Sequence, residues 1–113
     1  MKPFALITGS SGDIGSAVAE RLAAEGYSLY LHYNCNEDAV NELERKLRLT
    51  ADESQQFITV QADFSRQDGV DRLLEQIQHP IDVVIHNSGS SYVGLITDMT
   101  DDEVQRMVQL HVA

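Results

Sequence analysis

Near the N-terminus, Thr8-Gly9-Ser10-Ser11-Gly12-Asp13-Ile14-Gly15 has residue types and spacing suited to holding an anion. The segment leads from an apolar run into a helical pattern, so it opens a helix whose first N–H groups have no partners within the helix. Those donors and the positive end of the helix dipole suit a pyrophosphate, with Ile14 in the first turn. Gly9 and Gly12 let the backbone approach such a ligand, and Gly15 lets the helix pack closely on the strand before it. Ser10 and Ser11 add hydroxyl donors. Glycine spacing alone also fits an ordinary strand-to-helix turn; the position after the first strand favours the anion site.

Three other segments can join this loop. Asp63, in Ala62-Asp63-Phe64, follows the third apolar run. A carboxylate there can accept an adenine amino group while the Phe64 N–H serves a ring nitrogen, although an isolated Asp at such a point is more often a cap or turn former. The second run ends in His32-Tyr33-Asn34-Cys35-Asn36, and its first acid is Glu37. An acid at the strand end would grip a ribose 2′-OH and repel a 2′-phosphate, so its absence favours NADP(H) over NAD. Asn34 and His32 offer hydrogen bonds there, but His32 reads first as an exposed surface imidazole. His86-Asn87-Ser88-Gly89 makes a polar turn after the fourth run. The histidines at 32, 79, 86 and 111 lack tight metal spacing, so no metal site is expected.

Short β-rich runs alternating with helical stripes position these segments. Phe4–Thr8 reads as a strand buried on both faces, and Ser28–Tyr33, Phe57–Ala62 and Ile81–Ile85 read as three further strands. Between them run apolar stripes from Ile14 through Leu22, from Ala39 through Leu47, and from Val70 through Ile77. Gly26 occupies a plausible C′ position after the first helix, and His79-Pro80 ends the third. Thr100-Asp101-Asp102-Glu103 has capping-box spacing and opens a last helix that continues to His111. The order predicts an α/β fold, a Rossmann-type doubly wound parallel sheet that ends after the fourth strand and the following helix. The first and fourth strands should be neighbours, with the ligand at their C-terminal ends.

Thr8-Gly9 with Gly15, together with Asn87 and Gly89, resembles the cofactor fingerprint of the short-chain dehydrogenase/reductase superfamily. The single-domain branch uses T-G-x-x-x-G-x-G and N-N-A-G, from which Asp13 and Ser88 depart. The longer, epimerase-type branch uses T-G-x-x-G-x-x-G, which Gly9, Gly12 and Gly15 satisfy, and His86 leans the same way. The resemblance implies that Asp63 and Phe64 meet adenine and that Asn87, Ser88 and Gly89 lie along the cofactor's ribose side. It also implies a catalytic Ser and a Tyr-x-x-x-Lys pair. None of Tyr27, Tyr30, Tyr33 and Tyr92 has Lys four residues on, and the catalytic residues are expected beyond Ala113. The family's supporting Asn falls at His111, read as a core-edge imidazole ahead of a proton relay.

On this resemblance residues 1–113 are the N-terminal part of one NADP-binding Rossmann domain, inactive alone. The whole protein is expected to be an NADP(H)-dependent reductase of the 3-oxoacyl-carrier-protein reductase kind. Tyr33-Asn34, the Asn87-Ser88-Gly89 turn and residues 108–113 also look like a side-branch acting on a 5-aminopentanone group of elongation factor P. The substrate is then a small-molecule, carrier-protein-bound or protein-lysine-bound carbonyl, and the full-length protein a homo-oligomer. An epimerase or dehydratase of the longer branch and a non-catalytic NADP-sensing domain are the alternatives.

The whole chain agrees with a soluble, cytoplasmic setting. Its 113 residues carry 8 basic and 18 acidic groups, a net charge of −10, which argues against nucleic acid and anionic membranes. Its single cysteine, Cys35, excludes an internal disulfide and fits a reducing compartment. No signal-peptide pattern or membrane span is visible. The fourth strand should present an unpaired apolar edge that favours self-association.

Overall fold

The computed structural model describes residues 3–10, 12–86 and 94–97. Strands β1 (Phe4–Ile7), β2 (Ser28–Tyr33), β3 (Phe57–Gln61) and β4 (Val83–His86) alternate with helices α1 (Asp13–Ala24), α2 (Glu37–Thr50) and α3 (Gly69–Glu75). Strand β5 (Gly94–Thr97) completes a sheet of order β3-β2-β1-β4-β5. The first four strands are parallel, and β1 lies beside β4 with Ala5 opposite Val83 and Ile7 opposite Ile85.

Every residue of β1 and β2 is buried, because helices cover both sheet faces. On one face Ala5, Ile7, Leu29 and Leu31 pack with Ala19 and Ala23 of α1 and Val40, Leu43 and Leu47 of α2. On the other, Phe4, Leu6, Tyr30 and Val60 pack with Val70 and Leu73 of α3. Alternation along each strand thus assigns its side chains to two separate cores.

The helix ends follow from local chemistry. Gly26 has φ +99°, its N–H bonds to the Ala23 carbonyl and the Tyr27 N–H bonds to that of Leu22. This is a Schellman motif, and it places glycine where an L side chain is disfavoured. The Asn36 side chain caps α2 by accepting the Ala39 N–H at 3.2 Å. Helix α3 stops at Glu75, two residues short of its apolar stripe, since the N–H groups of Gln76 and Ile77 turn to the carbonyls of Leu73 and Leu74.

The edge of β4 differs from expectation. Strand β5, for which the sequence pattern predicts nothing, pairs antiparallel with it, Val83 opposite Thr97 and His86 opposite Gly94. A segment this soon after β4 can return beside it only in the antiparallel sense, and doing so satisfies the edge that was expected to be bare. The expected helix from Thr100 to His111 lies outside the described residues. Among the described residues no helix is long and apolar enough to cross a membrane.

Candidate functional site

The chain builds β1, β2 and β3 outward in one direction and then crosses to β4 on the other side of β1. That reversal opens a crevice at the C-terminal ends of β1 and β4, where the glycine loop lies. Gly9 has φ +64°, a left-handed turn that glycine adopts without strain. Gly12 is extended, φ −82° and ψ 172°, and serves as the N-cap of α1. Among the described residues, a Cβ there would meet only the Gly9 carbonyl oxygen, at an ordinary contact distance of 3.8 Å. The ladder of α1 begins with the Ser16 N–H bonding to the Gly12 carbonyl at 2.9 Å. The N–H groups of Asp13, Ile14 and Gly15 therefore stand before the helix's own bonds, and Gly12 has no side chain to cap them.

Individual loop residues divide into two groups. Gly15 is buried in the α1 packing, whereas Ile14 is 51% exposed. Ser10 corrects the expectation of an outward hydroxyl. It is fully buried, its Oγ donates to the His32 carbonyl at 2.8 Å, and its N–H bonds to the same oxygen at 2.9 Å. Polar groups inside a core need internal partners, so Ser10 holds the loop instead of facing a ligand. Ser11 lies outside the described residues.

His32 also differs from its sequence reading as a surface imidazole, being only 3% exposed. Its Nδ1 accepts the Gly9 N–H at 3.0 Å and its Nε2 lies 2.9 Å from the Ala62 carbonyl oxygen. Its ring stacks on Phe64, centroids 4.3 Å apart and planes 9° apart. Burial lowers its pKa to about 4, although the bond to Ala62 opposes this, so the ring is neutral at pH 7. The available sequence signal was its place in a strand buried at every position.

The turn after β3 is equally well held. Asp63 Oδ1 accepts both the Ser65 hydroxyl at 2.6 Å and the Ser65 N–H at 3.0 Å. These bonds hold the Asp63 carboxyl below its ordinary pKa. Gly69, which the sequence reading missed, lies against this turn. A Cβ on it would overlap the Asp63 carbonyl oxygen and come 3.0 Å from Phe64 Cα. No sequence pattern signals that approach, which depends on how α3 docks.

At the end of β2, Asn34 is exposed and its carbonyl accepts the Gln61 side-chain amide at 2.8 Å. The Tyr33 hydroxyl donates to Glu37 Oε2 at 3.3 Å. Burial first, then the Glu37 charge and hydrogen bond, raise the phenol's pKa. The structure thus brings Gly9, Gly12, Ile14 and Gly15 to one end of the sheet with Asp63, Phe64 and Asn34. Asn87, Ser88, Gly89 and His111 lie outside the described residues. N–H groups ahead of the α1 ladder and a carboxylate at the third strand's end suit a long anionic ligand with a nucleobase.

Known proteins resemble this chain in sequence and fold. A family profile described as short chain dehydrogenase matches residues 3–113. The uncharacterized oxidoreductase YmfI of Bacillus subtilis (strain 168) is 51% identical over 113 residues, covering 100% of this chain and 46% of the relative. The angucycline C-6 ketoreductase LanV with bound NADP is 33% identical, with a TM-score of 0.60 over 65% of this chain and 27% of its own. A blue fluorescent protein from a metagenomic library in complex with NADPH is 26% identical, with a TM-score of 0.70 over 98% and 49%. The chain spans about half the length, or less, of each protein named here.

Proposed function

We propose, from the premise that the chain belongs to the short-chain dehydrogenase/reductase family, that it is the cofactor-binding part of an NADP(H)-dependent reductase turning a ketone into an alcohol. The observation that carries this reading is the glycine loop at the strand-order reversal, with the N–H groups of Asp13, Ile14 and Gly15 ahead of the α1 ladder. The NADP-bound ketoreductase and the NADPH-bound structure with this fold support it.

The residues fit such a cofactor. Gly9, Ser11, Gly12, Ile14 and Gly15 would hold the pyrophosphate, with Ser10 shaping the loop from behind. Asp63 Oδ1 is engaged by Ser65, which leaves Oδ2 to accept an adenine amino group, and the Phe64 N–H would serve the ring. Asn34, with no acid before Glu37, would lie by the ribose and its 2′-phosphate. Asn87, Ser88 and Gly89 would follow the nicotinamide side. When bound, the cofactor supplies a hydride; this chain's residues orient it and exclude water from its phosphates.

The substrate class is a 3-oxoacyl thioester or a related carbonyl, on a small molecule, a carrier protein or a protein lysine. We place the full-length protein in the cytoplasm as a homo-oligomer, and residues 1–113 alone as inactive. Incubating full-length protein with NADPH and a 3-ketoacyl thioester tests the reading by the loss of NADPH fluorescence. Binding with no oxidation by any carbonyl favours an NADP-sensing role, and no binding of either nicotinamide cofactor removes the proposal.

A further inference from the structure

The imidazole of His32 connects two turns that are distant in sequence. Its Nδ1 faces an amide N–H, which can only donate, and its Nε2 faces a carbonyl, which can only accept. Both contacts are hydrogen bonds in one state alone, the neutral ring with its proton on Nε2. The ring face is occupied by Phe64, and the His32 main-chain carbonyl takes two bonds from Ser10. One buried residue therefore holds the glycine turn through Gly9 and Ser10 and the following turn through Ala62 and Phe64.

We propose that His32 is the positioning residue of the cofactor cradle, fixing the separation between the turn for the pyrophosphate and the turn for the adenine. The role rests on the dinucleotide reading above. A dinucleotide must engage both turns at once, so a set separation lets it bind as one ligand with little ordering left to do. A ligand that reaches only the adenine side gains much less from that bridge.

The test uses full-length protein and three measurements. Nitrogen-15 NMR of the histidine side chains should show His32 protonated on Nε2 and not on Nδ1 at neutral pH. His32→Phe keeps a flat ring against Phe64 but orphans the Gly9 N–H and the Ala62 carbonyl. It should weaken NADPH at least ~10-fold, yet adenosine 2′,5′-bisphosphate by no more than ~2-fold. His32→Gln, with one acceptor and one donor, should recover part of the NADPH affinity.

An Nδ1–H tautomer overturns the role, as does NADPH affinity unchanged in His32→Phe or an equal loss for both ligands. If His32→Phe does not fold, the tautomer and the ratio of the two losses in His32→Gln decide the matter alone. Failure of the wild-type protein to bind NADPH removes the dinucleotide reading itself, and is seen separately from the tautomer.

Discussion

Gly69 lies so close to the Asp63 carbonyl that a Cβ at position 69 would overlap the oxygen and approach Phe64 Cα to 3.0 Å. The atoms it would meet are backbone, so relief requires α3 or the Asp63–Phe64 turn to move. Gly69→Ala gains at most ~1 kcal/mol of helix propensity and loses ~1–3 kcal/mol to overpacking. Urea unfolding should show net destabilisation, accompanied by weaker binding of adenine nucleotides. Unchanged stability would mean that α3 slides without resistance.

Gly9 and Gly12 should separate folding from binding. Gly9, at φ +64°, should destabilise by ~1–2 kcal/mol as Gly9→Ala. Gly12, at φ −82° and with only an ordinary 3.8 Å contact to a Cβ among the described residues, should change stability by no more than ~0.5 kcal/mol as Gly12→Ala. Its added methyl instead enters the space before the α1 N–H groups, so NADPH affinity should fall ~10-fold or more. Thermal melts and cofactor titration check the pair, and equal destabilisation by both variants would contradict it.

The buried His32 should make folding sensitive to acid. Its pKa is 6.5 when exposed and about 4 in the fold, so between these values the unfolded chain binds a proton that the folded chain refuses. Stability is then complete above pH 6.5, falls as pH drops toward 4, and levels off below as the folded ring also protonates, for a total of ~3 kcal/mol. The groups contacting the ring, on Gly9, Ala62 and Phe64, are uncharged. Urea midpoints measured across this window should slope less in His32→Gln than in the wild type; parallel slopes would discount the histidine.

Glu37 is the carboxylate nearest in sequence to the proposed 2′-phosphate position, and the Tyr33 hydroxyl holds it at 3.3 Å. Removing its charge as Glu37→Gln should raise the preference for NADPH over NADH by up to ~10-fold, and more at low salt. Dissociation constants for the two cofactors test this. The Tyr33 phenol should also titrate at lower pH, because part of what raises its pKa is the Glu37 charge.

Strand β1 was legible because a parallel strand covered on both faces is mostly apolar, and Ser28–Tyr33 appears with the expected bounds. Gly26 was legible because its left-handed conformation has a local cause. His32 was not, since its partners lie 23 and 30 residues away and histidine is usually found nearer the surface. Ser10 has the right residue type for a phosphate, but strand packing turns it inward. Gly69 depends on a docking distance and β5 on competition for an open edge, and neither has a periodic signature.

The shortness of α3 bears on local opening. Among the described residues, α1 and α2 have 12 and 14 residues, whereas α3, which packs beneath the Ala62–Phe64 turn, has 7. A helix that short has little cooperativity of its own, so its amides should exchange with solvent well before those of α1. A nucleotide held at the Ala62–Phe64 turn would slow exchange most in α3, making this short helix the sensitive reporter of occupancy.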